Sequence, residues 1–150
     1  MKVVLHCSDS IFGNAALITK WHVLPVPQGR GWSAIGYHYV ILNGWLTSVL
    51  HNAYFDGHLE TGRALNDDNF ISIEEWGAHA TGYNSHVGIC LIGKSGQFTD
   101  KQKHTTAALV RRLKDQFGTV EVLQHSDLDP KKPYCAGLPH SFINLLNKEL

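Results

Sequence analysis

A histidine and a cysteine lie ten positions apart in the stretch HSDLDPKKPYCAG, which covers residues 125–137. Imidazole nitrogen and thiolate sulfur are ligands that zinc binds well in proteins, so His125 and Cys135 are candidate metal ligands. The two prolines and the polar side chains between them disfavour helix and strand, which predicts a loop. The same loop carries Lys131 and Lys132, whose ammonium groups could stabilise negative charge in a reaction.

A third candidate ligand, His6, lies near the end of the apolar stretch KVVLHC, which predicts a buried strand over residues 2–7. The stretch VEVLQ predicts another strand over residues 120–124, and it ends directly before His125. If these two strands are neighbours, the three candidate ligands meet at one edge of the sheet. Three protein ligands without an evident fourth are typical of catalytic zinc, in which water takes the fourth position. Such an ion polarises a carbonyl and lowers the pKa of its water toward about 7.

Spacing alone leaves plainer interpretations open. A loop cysteine at this distance from a histidine is often unrelated to metal, and a histidine in an apolar strand is often a hydrogen-bonded core residue. Nothing in the periodicity requires His6, His125 and Cys135 to meet. A hydrolase with Cys135 as nucleophile and His125 as base is a further chemistry that these residue types would permit.

The rest of the chain predicts alternating helices and strands. Apolar residues at helical spacing predict a helix over 14–24 and a second helix that starts at an N-cap, Thr99, and ends at Phe117. Further strands are predicted over 34–42 and 87–93, and a short terminal helix over 141–150. This alternation predicts an α/β protein, in which helices pack on a sheet. Residues 43–78 have the least regular pattern.

Composition excludes several classes of protein. The 150 residues suit one domain, and 13 basic residues balance 13 acidic ones without a basic cluster, which argues against a nucleic-acid partner. No apolar run approaches the roughly 18–20 residues of a membrane span, so no membrane insertion is expected. The chain has three cysteines, and this odd count argues against a disulfide framework. Its first residues do not resemble a signal peptide, which predicts a cytoplasmic protein. Ten histidines are a surplus for this length and point toward metal.

Five ordered stretches of the chain carry a family resemblance: VVLHCSDS, GWSAIGYHYVI, DGHLETGR, GAHATGYNSHVGICLIG and HSDLDPKKPYCAG. Together they resemble the phage-type N-acetylmuramoyl-L-alanine amidases, whose fold is shared with peptidoglycan recognition proteins. The resemblance spans nearly the whole chain and implies one domain over residues 1–150, a mixed central β-sheet with flanking helices, and one Zn²⁺ per chain. The implied activity is hydrolysis of the amide bond between N-acetylmuramic acid and L-alanine in peptidoglycan.

The resemblance also implies roles for individual residues. The implied zinc ligands are His6, His125 and Cys135. Tyr37, in the GYH stretch, is implied to assist the scissile carbonyl or the attacking water. His79 and Asn84, in GAHATGYN, are implied to contact the substrate, although a turn or cap role is the alternative for each.

The chain departs from the family pattern at the catalytic lysine. The family usually places this lysine two residues before the third ligand, where the present chain has Pro133. Lys132 is one position away and is the candidate catalytic lysine, with Lys131 as the alternative. A third interpretation is that both are solvated loop residues.

A second departure is an insertion at about residues 43–76. It carries apolar residues that are unusual in a bare surface loop: Trp45, Leu46, Val49, Leu50, Tyr54 and Phe55. Either they pack as a small subdomain or they wall the substrate groove, and we expect packing first.

Alternation along strands predicts which side chains share a face. Tyr37 and Tyr39 should face one side of their strand, and His38 should face the other as a packed residue rather than a ligand. Cys7 should point away from His6 and serve as a core thiol.

Two functions follow from the resemblance. The first is a monomeric phage endolysin that binds muropeptide, stays in the host cytoplasm and reaches the cell wall through a separate membrane pore. The alternative is a non-catalytic peptidoglycan-binding module. Relatives of the second kind typically lack a zinc ligand, and all three ligand positions here carry competent residues, so we favour the enzyme.

Overall fold

The computed structural model describes residues 1–148 of the chain. The strands in this part are β1 (Lys2–Cys7), β2 (Tyr39–Trp45), β3 (His51–Thr61), β4 (Val87–Leu91) and β5 (Glu121–Gln124). The helices are α1 (Ala15–Val23), α2 (Asp100–Phe117), α3 (His125–Leu128) and α4 (His140–Lys148), with a 3₁₀ turn at Ile73–Glu75. Within residues 1–148, no helix combines the length and the apolar character that a membrane span requires.

The strands form one mixed sheet in the order β3-β2-β4-β1-β5. β1 pairs in parallel with β4 and β5, β2 pairs in parallel with β4, and β3 runs antiparallel to β2 at one edge. This arrangement confirms the predicted α/β class and mixed sheet. Leu5 lies opposite Gln124 in the register, which brings the carboxyl ends of β1 and β5 together.

Apolar side chains cover both faces of the sheet, as expected where the central strands are parallel. The cluster on one face joins α2 and α4 to the strands and includes Leu5. The cluster on the other face joins Ile18 of α1 to Val40 and Cys90. Side chains alternate along β1, and His6 lies opposite Cys90, so His6 points to the α1 face.

The long helices begin where their caps predict. Asn14 Oδ1 accepts the N–H of Leu17 at the start of α1 (2.8 Å), and Thr99 forms a capping box with Gln102 at the start of α2. The C-cap of α2 is Gly118, whose φ of 77° favours glycine. The terminal helix begins at His140, one residue earlier than predicted, and residues 149–150 of that prediction lie outside the described residues.

The strand predicted over residues 34–42 is wrong at both ends, because β2 covers Tyr39–Trp45. The backbone before β2 bonds to side chains as well as to other backbone, such as the Gly88 carbonyl of β4, which accepts the N–H of His38 at 2.9 Å. His22 Nδ1 accepts the N–H of Gly36 at 2.9 Å, and Arg63 donates to the Ile35 carbonyl at 2.6 Å. As a result, Tyr39 packs on the α2 face while Tyr37 packs on the α1 face, so the prediction that they share a face is also wrong.

The loop predicted over residues 125–137 begins with a helix, α3. Asp127 accepts the N–H of Gln124 at 2.8 Å and thereby caps this short helix. Asp127 is thus a helix-capping residue that could be recognised in the sequence. The prolines of the same stretch led to the prediction of a loop instead. The remainder of the stretch forms turns, as predicted.

The insertion is more regular than its pattern predicts, because it contains the end of β2 and the eleven residues of β3. Leu46 and Phe55 pack against the α1-face core, in agreement with the expected packing. The other four of its six large apolar side chains from Trp45 to Phe55 are instead exposed: Trp45, Val49, Leu50 and Tyr54. The tip closes on itself through the bond from Leu46 N–H to the Leu50 carbonyl (2.9 Å), so these four side chains lie along an edge hairpin.

Candidate metal centre

The structure brings together the three side chains that the sequence singles out as ligands. One potential ligand atom from each of His6, His125 and Cys135 lies within 4.8 Å of the other two. His6 Nδ1 is 4.0 Å from Cys135 Sγ, and the rings of His6 and His125 have centroids 4.6 Å apart. His6 is 1% exposed, so the cluster lies at the bottom of its cavity.

The sheet and one loop position these ligands. Leu5 pairs with Gln124 across β1 and β5, and His6 and His125 are the next residue of each chain segment. The turn after α3 then brings the chain back, with Lys132 N–H bonding to the Asp129 carbonyl at 3.0 Å. Cys135 closes the loop, because its carbonyl accepts the N–H of Ser126 at 2.6 Å. The backbone therefore places the sulfur beside both rings.

The chemistry of this group fits a transition-metal ion such as zinc. Two ligand atoms on one zinc ion cannot be farther apart than two bond lengths, about 4.4 Å for nitrogen and sulfur, and the His6–Cys135 distance is shorter. Burial holds the pKa of His6 well below its usual range. Burial, together with the Lys132 charge, also lowers the pKa of His125. Both imidazoles are thus neutral near pH 7, as metal ligation requires.

Tyr37 lies beside the ligands on the α1 face. The centroid of its ring is 5.1 Å from that of His6. Burial raises the pKa of Tyr37 well above its usual value. The phenol therefore keeps its proton at neutral pH and can donate a hydrogen bond into the cavity.

The two loop lysines both line the cavity. Lys132 is close enough to His6 and His125 that its charge contributes to the lowered pKa of each. Lys131 donates its backbone N–H to Asp129 Oδ1 at 2.9 Å. Both side chains are exposed, so either can present an ammonium group to a bound molecule without desolvation.

His79 is buried, with 8% of its surface exposed, although it borders the cavity. Its Nδ1 is 3.0 Å from His6 Nε2, and its Nε2 is 3.0 Å from the carbonyl oxygen of His86. Burial lowers the pKa of His79 to about 4. The ring thus has partners within the protein on both nitrogens.

Asn84 holds the GAHATGYN segment in place. Its Oδ1 accepts the N–H groups of His79 at 2.8 Å and Ala80 at 3.0 Å. This is the turn role that the sequence leaves as the alternative for Asn84. Substrate contacts of His79 and Asn84 stay predictions.

The remaining residues of interest have structural partners. His38 is packed as predicted: its Nδ1 accepts the N–H of Gly88 at 3.0 Å, and its Nε2 is 2.6 Å from the Glu75 carbonyl. Cys7 is half-buried against the α2-face core, but it also lines the cavity and its thiol interacts with that of Cys135, so it is not the simple core thiol that was predicted. The Cys7 backbone N–H also lies 3.4 Å from Cys135 Sγ, a hydrogen bond to the sulfur that the sequence did not indicate.

The cavity above the ligands has a volume of about 550 Å³. Beyond the predicted residues, its lining includes His22, Arg30 and Trp32, which come from α1 and the loop that follows it. The Arg30 guanidinium is 5.0 Å from the centre of the Trp32 ring, and the rings of His22 and Trp32 are 4.7 Å apart. These residues were not predicted to belong to the site, although an arginine and a tryptophan a few positions before the GYH stretch were an available signal. The insertion does not contribute to the described lining.

Comparisons with a family model and with individual known proteins indicate the same family. The family of N-acetylmuramoyl-L-alanine amidases matches residues 2–137. An endolysin of Klebsiella phage KP32 is 28% identical over 141 residues, which cover 87% of this chain and 77% of that protein.

Solved structures with this fold include the N-acetylmuramoyl-L-alanine amidase LysC from Clostridium intestinale. It has a TM-score of 0.68 at 24% identity, and the match covers 95% of this chain and 81% of that chain. A mutant of Drosophila PGRP-LB in complex with tracheal cytotoxin has a TM-score of 0.68 at 23% identity, and the match covers 99% of this chain and 80% of that chain. At these identities the structural likenesses show a shared fold.

Acid should destabilise the fold through His22, which accepts the Gly36 N–H and whose pKa is lowered to about 4 by burial and by Arg30 and Arg63. The unfolded chain takes up this proton below about pH 6.5, whereas the folded chain does not until about pH 4. The free energy of unfolding should therefore fall as pH decreases through this window, by about 1.4 kcal/mol per pH unit for each such histidine.

His22→Asn retains an acceptor for Gly36 but cannot titrate, so it should flatten this slope. The measurement is urea denaturation in chelator at several pH values between 7 and 4. His104→Asn, on the exposed side of α2, is the control. Parallel pH profiles for wild type and His22→Asn would contradict the role of His22.

Proposed function

The chain belongs to the N-acetylmuramoyl-L-alanine amidase family, and we propose that it hydrolyses the amide between N-acetylmuramic acid and L-alanine in a zinc-dependent reaction. The observation that carries this proposal is the convergence of His6, His125 and Cys135 at the bottom of an open cavity. Two nitrogens and one sulfur leave a coordination position free, which distinguishes a catalytic zinc site from a closed structural one.

The ligand atoms that would hold the ion are His6 Nδ1, a ring nitrogen of His125 and Cys135 Sγ. When bound, zinc supplies a Lewis acid for the amide carbonyl and lowers the pKa of water. The protein's own contribution is to keep both imidazoles unprotonated and to fix their positions on the ends of two paired strands.

Tyr37 and Lys132 are the proposed catalytic side chains. Attack on an amide carbonyl places negative charge on its oxygen, and hydrogen-bond donors aimed at that oxygen lower the barrier. The Tyr37 phenol is protonated and lies beside His6, so it can donate such a bond. The Lys132 ammonium adds positive charge from the loop that lines the cavity.

The substrate is proposed to be polymeric peptidoglycan or muropeptide, and the biological setting that of a phage endolysin. The supporting observation is that phage endolysins are similar over most of this chain. In this setting the enzyme is a monomer made in the host cytoplasm, and a separate membrane pore gives it access to the cell wall. His79 and Asn84 remain the substrate contacts that the family resemblance implies, and of the two His79 borders the cavity.

Removal of the metal should abolish activity. Purified protein should release peptide with a new N-terminal alanine from peptidoglycan, stop in chelator and recover with Zn²⁺. Metal analysis should give one zinc per chain. Cys135→Ser should lower zinc affinity strongly, because the ion loses its sulfur ligand. Metal-free protein that cleaves at the full rate would overturn the proposal and would favour Cys135 as a nucleophile.

The matched control is Cys7→Ser. Cys7 contacts Cys135 through its backbone N–H and through its thiol, and serine retains the N–H and a hydrogen-bond donor in the side chain, so zinc content should stay near one per chain. Equal loss of zinc in both variants would mean that the assignment of Cys135 is not specific.

Tyr37→Phe should bind zinc normally and cleave more slowly. Loss of one donor to the developing oxyanion typically costs on the order of 100- to 1,000-fold in rate. The measurement is steady-state hydrolysis of a muramyl-peptide, with zinc determined in the same sample. Tyr39→Phe, on the opposite face of the sheet, should keep the wild-type rate. If Tyr37→Phe also keeps it, Tyr37 has a packing role alone.

Lys132→Met should lower turnover without loss of zinc, because methionine preserves the length of the side chain and removes its charge. Lys131→Met is the matched control on the same loop and should change turnover little. Both variants are assayed on the muramyl-peptide at several salt concentrations, since charge effects at exposed sites weaken with salt. Two variants with wild-type turnover would remove both lysines from the mechanism.

A further inference from the structure

We infer that His79 is a positioning residue that fixes which nitrogen of His6 carries hydrogen, and so presents the other nitrogen to the metal. This inference rests on the proposed metal site. It gives His79 a role different from the substrate contact expected from the sequence.

The hydrogen-bond chain starts at a backbone carbonyl, which can only accept. His79 Nε2 lies 3.0 Å from the carbonyl oxygen of His86, so this nitrogen carries the hydrogen. A neutral imidazole has one donor and one acceptor nitrogen, and His79 Nδ1 is therefore the acceptor. The His86 carbonyl thus determines the tautomer of His79.

The next link of the chain is His6. Its Nε2 lies 3.0 Å from His79 Nδ1, and the two rings are nearly perpendicular, at 87°. Since His79 Nδ1 accepts, His6 Nε2 donates and must carry the hydrogen. His6 Nδ1 is then left with a lone pair, and this is the atom 4.0 Å from Cys135 Sγ. The hydrogen bonds from His6 to His79 and from His79 to the His86 carbonyl therefore select one tautomer of His6. In this tautomer Nδ1, the nitrogen nearer Cys135, is free to bind a metal.

The surroundings of His79 hold its ring in one place. A Cβ at Gly88 would lie 2.5 Å from His79 Cγ, and a Cβ at Gly77 would lie 2.6 Å from His79 Cδ2. Both glycines therefore make room for the ring. Asn84 Oδ1 fixes the backbone of His79 through its N–H. The ring of His79 is enclosed by backbone on two sides and hydrogen-bonded at both nitrogens. Such a fixed ring is suited to orient the metal ligand His6 rather than to adjust to a bound substrate.

Two variants separate positioning from packing. His79→Leu fills the space without an acceptor, whereas His79→Asn can place its Oδ1 near the position of Nδ1. Loss of a hydrogen-bond partner behind a ligand typically costs about 10- to 100-fold in metal affinity. We expect such a loss of zinc affinity in His79→Leu and substantial rescue in His79→Asn, measured by competition with a chromophoric chelator. His104→Leu, a change on the exposed side of α2 and away from the cavity, should bind zinc like wild type.

The tautomer itself is measured in metal-free wild-type protein labelled with ¹⁵N-histidine. Long-range ¹H–¹⁵N spectra should show hydrogen on Nε2 of both His6 and His79, with the His6 hydrogen protected from exchange. Hydrogen on His6 Nδ1 would overturn the inference without any variant having to fold. So would unchanged zinc affinity in folded His79→Leu. Protein that shows the expected tautomers but binds no zinc would instead refute the proposed metal site.

Discussion

The site depends on the parallel pairing of the first and last strands of the sheet. β1 and β5 are far apart in sequence but adjacent in the sheet, and their register sets His6 and His125 side by side. Parallel strands end at the same edge, so both histidines leave the sheet in the same direction. A shift of one residue in this register would turn one ring to the opposite face, away from Cys135. The core that fixes the register therefore also fixes the geometry of the ligands.

Burial then determines the charge state of the groups at this edge. It favours neutral imidazole for His6 and keeps the phenol of Tyr37 protonated. The positive charges of Arg30 and Lys132 belong to exposed side chains that line the cavity. The site thus separates neutral donors and ligands at the bottom from cationic groups at the rim. Such a separation suits the proposed reaction, in which negative charge would develop beside the candidate ligands while anionic groups of a substrate extend outward.

The sequence predicted those parts of the structure that local patterns control. The apolar stretches gave β1, β4 and β5, and the capping residues gave the starts of α1 and α2. The convergence of His6, His125 and Cys135 came from family resemblance, because strand order is a property of the whole sheet and leaves no trace in spacing.

Other features of the structure could not be predicted from the sequence, because they depend on contacts between side chains that are distant in sequence. The segment before β2 has the residue pattern of a strand, but the side chains of His22 and Arg63 bond part of its backbone. The partners of His79 could not be foreseen either, since its neighbour His6 is 73 positions away. The exposed tip of the β2–β3 hairpin was predicted to pack because apolar residues there resemble a core, yet Val49, Leu50 and Tyr54 are exposed.

The separation of the ligands along the chain gives the ion a second effect. His6 and Cys135 are 129 positions apart, so an ion bound to both joins the first strand to the last loop and encloses nearly the entire chain. A cross-link of this kind removes conformational freedom from the unfolded ensemble, and the entropic effect grows with the size of the enclosed ring. The ion would therefore act as a reversible cross-link that stabilises the folded state. The melting temperature of the protein would then rise with the concentration of free metal.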